Sequence, residues 1–394
     1  MPEQCLHRTS SAIRIIQILA FATAITVAWV ASNLEALASS RESVIHNFDG
    51  GGGRAPQLAA LSAAFDEAGR LICIFGTTPY GGSADAGVLF KITPDGNEEV
   101  LHSFGATESD GVVPLAGVVS DNIGNLYGTT WSGGQNDNGV VYKIAPDGTE
   151  TLLHVFAGGE DGGAPYSTLV IDAKGNLLGT TSRGGRRNEG TIFKIAPTGQ
   201  ETILHSFSGW DGAGPTNISL DDKGAIYGVT GGDQGVIYKR TNLRVIEILH
   251  RFGGAGDGNY AFGGLVRDVQ GNLFGGTQFG GASGNGMIFE FGADGTYKIL
   301  HSFTGTDGSG SVGALALDGD GTIYGTTRYG GKLNQGAVFS LSPGGQETVL
   351  HSFGAGGDGS EPMSGVVIDH DHYLYSATSA GGSGNLGIIF SLKK

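Results

Sequence analysis

Two cysteines in 394 residues exclude a disulfide framework. Cys5 precedes the first apolar run and has no lipoprotein-like cleavage pattern before it, so it is not read as a lipid site. Cys73 stands alone in "LICIFGTT", where a small apolar side chain in a strand is the expected role. Charge is scarce too. Lys, Arg, Asp and Glu make 15% of the chain, and the balance is −15. That argues against a phosphate-binding surface, so no nucleic-acid partner is expected. Copies of such a chain repel one another, and a monomer is expected.

Helical patterning is also missing. Beyond the first thirty residues no apolar run nears the length of a membrane span. What the chain has instead is glycine, 73 of them. Glycine with a strict three-residue period would mean collagen, and glycine with few hydrophobics would mean disorder. Neither holds, since the period is absent and 39% of residues are hydrophobic. Glycine among short apolar runs marks tight turns between many short strands.

The start of the chain reads as an export signal over residues 1–38. Arg8 and Arg14 precede the apolar run "IIQILAFATAITVAWV", and Ala36 and Ala38 give a small-x-small cleavage pattern. The run holds Gln17, Thr23 and Thr26 and is short for an anchor. The expectation is a secreted or periplasmic protein with no membrane span after cleavage.

An internal repeat organises the rest. Aligned on histidine, the chain shows "VIHNF", "VLHSF", "LLHVF", "ILHSF", "ILHRF", "ILHSF" and "VLHSF". These hold His46, His102, His154, His205, His250, His301 and His351, at spacings of 56, 52, 51, 45, 51 and 50. A second marker keeps step. "GTTPYGG", "GTTWSGG" and "GTTSRGG" are close copies, "GVTGG" is degenerate, and "GGTQFGG", "GTTRYGG" and "SATSAGG" complete seven. Within one unit, residues 169–207, the runs "LVID", "LLGTT", "TIFKI" and "ETILHSF" alternate with Gly-, Pro- and Asn-rich turns. Each unit therefore holds four strands.

Four strands in about 50 residues, repeated seven times, specify an all-β fold, a seven-bladed β-propeller of four-stranded blades. The ends sharpen this. Residues 43–48 read as a fourth strand with no first three, and the last unit, 363–394, has three strands and no fourth. The N-terminal strand is expected to complete the last blade. One propeller over 43–394 leaves no open ring edge.

The second unit runs from Asp121 to Phe156 and carries nearly whole the pattern "D-x-x-G-N-L-Y-G-T-T-x-x-G-G-x-x-x-x-G-x-V-F-K-I-x-P-D-G-x-E-x-x-L-H-S-F". It resembles the GloVer tandem repeat, and the likeness spans the chain after the leader. The resemblance implies an exported bacterial protein, often held at the surface by a C-terminal anchor. It implies no established activity, substrate or catalytic residue. After "IIFSLKK" there is no sorting tail, so release or periplasmic residence is expected.

A lone histidine beside an acidic loop would suit a general base. Seven copies argue otherwise, because an active site is one asymmetric place. The histidines are expected on outermost strands, packed between blades and hydrogen-bonded locally. A shared metal is not expected, since equivalent outer positions lie too far apart for one ion. The pairs Asp110-Gly111, Asp161-Gly162, Asp211-Gly212, Asp257-Gly258, Asp307-Gly308 and Asp358-Gly359 follow the His strands and read as turns. The functional alternative is a ring of carboxylates that attracts cations. "DGDGT" from Asp318 lacks the twelfth-position Glu of a calcium loop and reads as a hairpin turn. "GTT…GG" lacks the P-loop Lys and a following helix.

The informative residues break the repeat. Trp131, the acidic pair Glu160 and Asp161, the charged tip Arg186, Arg187 and Glu189, and Trp210 are expected on the loop face, where propellers bind ligands. The fourth unit lacks four residues in the equivalent loop, which would lower the rim there. Tyr80, Phe279 and Tyr329 add rings before Gly-Gly in other units. Exposed aromatics beside short polar side chains suit a flat ligand such as a sugar. The expected function is a binding or scaffold module for a glycan or protein ligand, with no cofactor. A polysaccharide hydrolase or lyase is the alternative. Glu160 with Glu189 is the one carboxylate pair that could serve it. No G-x-S-x-G, H-E-x-x-H or Cys/His motif is present, so no catalytic residue is assigned.

Overall fold

The computed structural model describes residues 42–57, 61–231, 235–241, 245–354 and 357–394. The expected leader lies outside them. Seven four-stranded antiparallel sheets form a seven-bladed propeller. In the first blade Ser62–Phe65, Leu71–Thr78, Val88–Ile92 and Glu98–Ser103 run in order from inner to outer strand. The order recurs through the sixth blade, which ends on Ala337–Leu341 and Glu347–Ser352. The seventh is built from Val367–Ile368, Tyr373–Thr378 and Ile388–Lys393, with Glu42–Asn47 as its outer strand. That strand pairs Val44 with Phe390 and Asn47 with Ile388, so the ring closes as its ends imply. It begins one residue before the expected 43–48, and Phe48 lies just past it, 1% exposed. Among the described residues there is one 3-10 turn, Gly159–Asp161, and no α-helix.

Five of the seven inner strands are two residues long, shorter than the apolar runs suggest. "LVID" contributes two ladder residues, Val170–Ile171. The reason is crowding at the axis, where adjacent inner segments meet backbone to backbone. A Cβ on Gly263 would lie 2.3 Å from the Gly313 carbonyl oxygen, and one on Gly313 would lie 2.3 Å from that of Ser364. Inner carbonyls there turn to the neighbouring blade. The first Thr of the "GTT" marker donates across the interface, Thr77 to Ala116 O at 2.8 Å and Thr180 to Thr216 O at 2.9 Å. Backbone groups drawn from the ladder thus stay satisfied.

The core lies between blades. Each Phe two residues after a repeat His stands edge-on to the third-strand ring of the next blade. The pairs are Phe48–Phe90, Phe104–Tyr142, Phe156–Phe193, Phe207–Tyr238, Phe252–Phe289, Phe303–Phe339 and Phe353–Phe390, with centroids 5.0–5.4 Å apart. Edge-to-face packing suits the ring quadrupoles and adds about 0.5–1.5 kcal/mol per pair beyond buried area. The same rings explain the first glycine of the "GTT" marker. A Cβ on Gly128 would fall 2.3 Å from the Tyr142 hydroxyl, and one on Gly179 2.6 Å from the Phe193 ring.

The "D-x-x-G-N" segments are inner hairpin turns closed by their aspartates. Asp121 Oδ1 accepts from the Ile123 and Asn125 amides, and its Oδ2 accepts from the Asn125 amide side chain and the Tyr127 hydroxyl. Asp318 in "DGDGT" does the same for Asp320, Thr322 and Tyr324, which bears out the hairpin reading. Cys73 is buried in the first blade, and burial raises its thiol pKa, so it stays a protonated, apolar side chain.

Candidate functional site

Two loop sets meet on one face of the ring. Gly111–Val112, entering the second blade, pairs with Ser132–Gly133 between that blade's second and third strands. The fifth and seventh blades repeat this with Gly258–Asn259 on Phe279–Gly280 and Gly359–Ser360 on Ala380–Gly381. Bridges Arg54–Tyr80, Gly163–Arg183 and Ser309–Tyr329 mark the same contact in three more. The Gly of each Asp-Gly pair sits under a marker Thr. A Cβ there would meet the Thr130, Thr181, Thr230, Thr277, Thr327 or Thr378 side chain at 2.4–2.7 Å. Close approach, not left-handed backbone alone, demands the glycine, since Gly111, Gly258 and Gly359 do not have positive φ.

The Asp of each pair does more than close its turn. His154 Nε2 lies 3.1 Å from Asp161, His205 2.7 Å from Asp211, His250 2.9 Å from Asp257, and His301 and His351 each 3.0 Å from Asp307 and Asp358. A β-bulge beside every repeat His re-aims the ring. Its face also packs edge-on to the Phe two residues later, at 4.6–5.2 Å. The expected packing of these histidines between blades therefore holds.

A third group reaches in from the next blade. The first residue of each outer strand, four before its own His, faces the His of the preceding blade. His46 meets Glu98 at 3.3 Å and His102 meets Glu150 at 3.6 Å. Glu201, Glu347 and Glu42 stand with His154, His301 and His351 and their aspartates, with donor atoms within 4.8 Å of one another. Two interfaces differ. Tyr297 stacks on His250 at 3.6 Å, and Ile246 takes the position that would face His205. The sequence holds the signal, a recurring Glu-x-x-x-His, but strand periodicity points the pair to one blade and the tertiary contact joins two.

Burial penalises charge in these clusters. It raises Glu201 and Glu347 to about 7, with Asp161 and Asp307 adding repulsion, and raises Glu42 to about 7 beside Asp358. Burial opposes charge on His46 and His102 too, but Glu98, and Asp110 with Glu150, outweigh it and raise both. Burial wins at His205, which has no cross-blade carboxylate, and its pKa is lowered. The native state thus binds protons that the unfolded chain, with Glu near 4.5, releases. Excess native protons make stability fall as pH rises. In chelator-treated protein the melting temperature should drop by several degrees from about pH 5 to about pH 8. Glu201→Gln with Glu347→Gln should flatten that slope and raise stability at the alkaline end. An unchanged slope in the double variant would show that these carboxyls ionise normally.

The structure brings part of the expected ligand site together. A cleft of about 600 Å³ on the rim between the second and third blades is lined by Glu160, Asp161, Arg186, Glu201, Ile203, Leu204, His205 and Ser206. Asp161 is also tied to His154 and to the Ala157 amide, so it orders the cleft wall. Arg187 is exposed at the neighbouring loop tip. Glu189 is not part of the lining. It stands by Gly209, with its carbonyl accepting from the Gly214 amide. The cleft therefore does not pair Glu160 with Glu189. Trp131 is half-buried under Arg183, whose guanidinium lies 5.3 Å from its ring. Trp210 is 75% exposed, and the Arg251 guanidinium beside its ring donates to its carbonyl at 2.8 Å. The shortened loop tip of the fourth unit, 232–234, lies outside the described residues.

Comparison with known proteins adds family and fold. The Gloeobacter/Verrucomicrobia repeat model matches residues 35–234 and 231–394. No curated protein matches the chain. A catalytically inactive virginiamycin B lyase from Staphylococcus aureus, solved with quinupristin, superposes with a TM-score of 0.61 at 12% identity, covering 90% of this chain and 100% of that one. The extracellular domain of BT3049 from B. thetaiotaomicron, described as a hybrid two component system, superposes with a TM-score of 0.58 at 15% identity. That match covers 89% of this chain and 40% of the other. At such identities the likeness is one of fold alone. No helix among the described residues is long and apolar enough to cross a membrane.

Proposed function

The chain belongs to the Gloeobacter/Verrucomicrobia repeat family, and on that footing we propose that it is an exported binding module whose loop face engages a glycan. The observation that carries this is the rim cleft between the second and third blades. Six other interfaces repeat the blade, while here Glu160, directly before the Asp, stands with a cation at the Arg186 position. The sixth blade has Lys332 at that position but Thr306 in place of Glu160. The wall offers carboxylate acceptors, a guanidinium donor and the Ser206 hydroxyl beside apolar Ile203 and Leu204. A sugar ring presents the complementary pattern, hydroxyl edges around an apolar face. Trp210 supplies an exposed aromatic surface on the next inter-blade loop, and Trp131 a half-buried one on the loop before. The export-signal pattern in the sequence of residues 1–38 supports export.

A glycan array followed by calorimetry on the tightest binder tests this reading. Arg186→Ala should weaken binding about tenfold or more, and Trp210→Ala by a similar factor for ligands longer than the cleft. Affinity that survives both substitutions unchanged would remove the loop-face assignment. Array silence, with capture of a protein ligand that Arg186→Ala weakens, would replace the glycan by a protein at the same cleft.

A further inference from the structure

One of the four His–Asp–Glu clusters among the described residues differs from the other three, in which the glutamate Oε1 alone lacks a hydrogen-bond partner. His46 Nε2 and Glu98 Oε1 lack one too, but no Asp completes a third ligand there. His154, His301 and His351 use Nε2 on their aspartates at 3.0–3.1 Å, so those donors and acceptors satisfy each other. Between the first and second blades the atoms converge without bonding. His102 Nε2 is 3.5 Å from Asp110 and 3.6 Å from Glu150. His102 Nε2, Asp110 Oδ1 and Glu150 Oε1 are all buried and all lack a hydrogen-bond partner. The Asp110 side chain is only 4% exposed. Three orphaned polar atoms in one place cost far too much to be left facing one another.

The loop length explains the gap. Eight positions separate His102 from Asp110, against six or seven in the five other His–Asp pairs. The extra residue, in "GATESDG", holds Asp110 back from the imidazole. Its nearer oxygen, Oδ2, stays 3.5 Å away and accepts from the Ala106 amide at 3.1 Å, while Oδ1 has no partner. The resulting spacing suits an ion better than a hydrogen bond. Ligand atoms about 2.0–2.1 Å from a tetrahedral zinc-class ion stand about 3.4 Å apart. The separations of 3.5 and 3.6 Å are close to that edge length.

We propose that His102, Asp110 and Glu150 form a divalent metal site of the zinc class that clasps the first blade to the second. The imidazole nitrogen selects against calcium and magnesium, which prefer all-oxygen shells. Two carboxylates neutralise the ion, and water completes the shell through the rim, where His102 is 16% and Glu150 23% exposed. The edge-on contact with Phe104 at 4.6 Å fixes the imidazole plane. The ion would hold a strand of one blade and the outer strand of the next, so its effect is on stability.

The test is a Zn²⁺ titration of chelator-stripped protein near neutral pH, read by calorimetry and by melting temperature. The parent should show a saturable site of about 10 µM or tighter and a raised melting temperature. Glu150→Gln and Asp110→Asn should each weaken it at least about tenfold, with circular dichroism confirming the fold. His205→Gln should leave it intact, because Ile246 stands where that interface would need a carboxylate. Ca²⁺ should not reproduce the stabilisation. No site in the parent, a site that survives both carboxylate variants, or equal stabilisation by Ca²⁺ would overturn the assignment.

Discussion

Deleting residues 43–48 should abolish cooperative folding or lower the melting temperature by at least about 10 °C. The segment is six residues of an outer strand, but it closes the ring. Its ladder covers Ile388 to Leu392, which would otherwise be an unpaired edge. Phe48 is 1% exposed and stands edge-on to Phe90 of the first blade at 5.3 Å. His46 meets Glu98 of that blade and its Nδ1 donates to the Gly96 carbonyl. Losing one buried Phe alone costs about 3–5 kcal/mol. Losing the ladder, the His46 contacts and the Val44 packing as well reaches the whole stability of an ordinary domain, about 5–15 kcal/mol. A peptide of residues 42–48 added in trans should restore part of the loss. A deletion variant that melts like the parent would refute the closure.

Phe156→Ala should cost about 3–5 kcal/mol and Gly179→Ala about 1–3 kcal/mol, read as shifts in the urea midpoint. Both act on one spoke. Phe156 packs edge-on to Phe193, and the Phe193 ring occupies the space that a Cβ on Gly179 would need. The first substitution opens a cavity and the second overfills the site. Their costs should not add, because Phe193 can lean into the space that Phe156 leaves. Strict additivity, or a Phe156→Ala cost under about 1 kcal/mol, would mean the spokes are not the stabilising contacts between blades.

The blade was legible because its signals are local and repeated. Alternating runs such as "TIFKI" need only strand periodicity, and seven histidines in register count the blades. The lengths of the inner strands were less legible, because axial crowding takes carbonyls from the ladder for Thr77 and Thr180. The cross-blade carboxylates were not read at all. Glu150 lies four residues before His154, yet its partner is His102, 48 positions earlier. The reason for expecting no metal was that the histidines are too far apart to share one ion. That reasoning left out the two carboxylates the structure brings to each of several histidines.

By itself, then, the sequence determined the strand count, the number of blades, the closing strand and the loop face, since these follow from period and from turn chemistry that acts over a few residues. Only the tertiary structure decided which side chains meet across an interface, that Glu160 and Arg186 share a cleft from which Glu189 is absent, and that His102 stands open while His154 is satisfied. Those outcomes depend on how neighbouring blades pack and on one extra loop residue, which set distances such as 3.5 Å for His102–Asp110 against 3.1 Å for His154–Asp161 and leave the repeat unchanged.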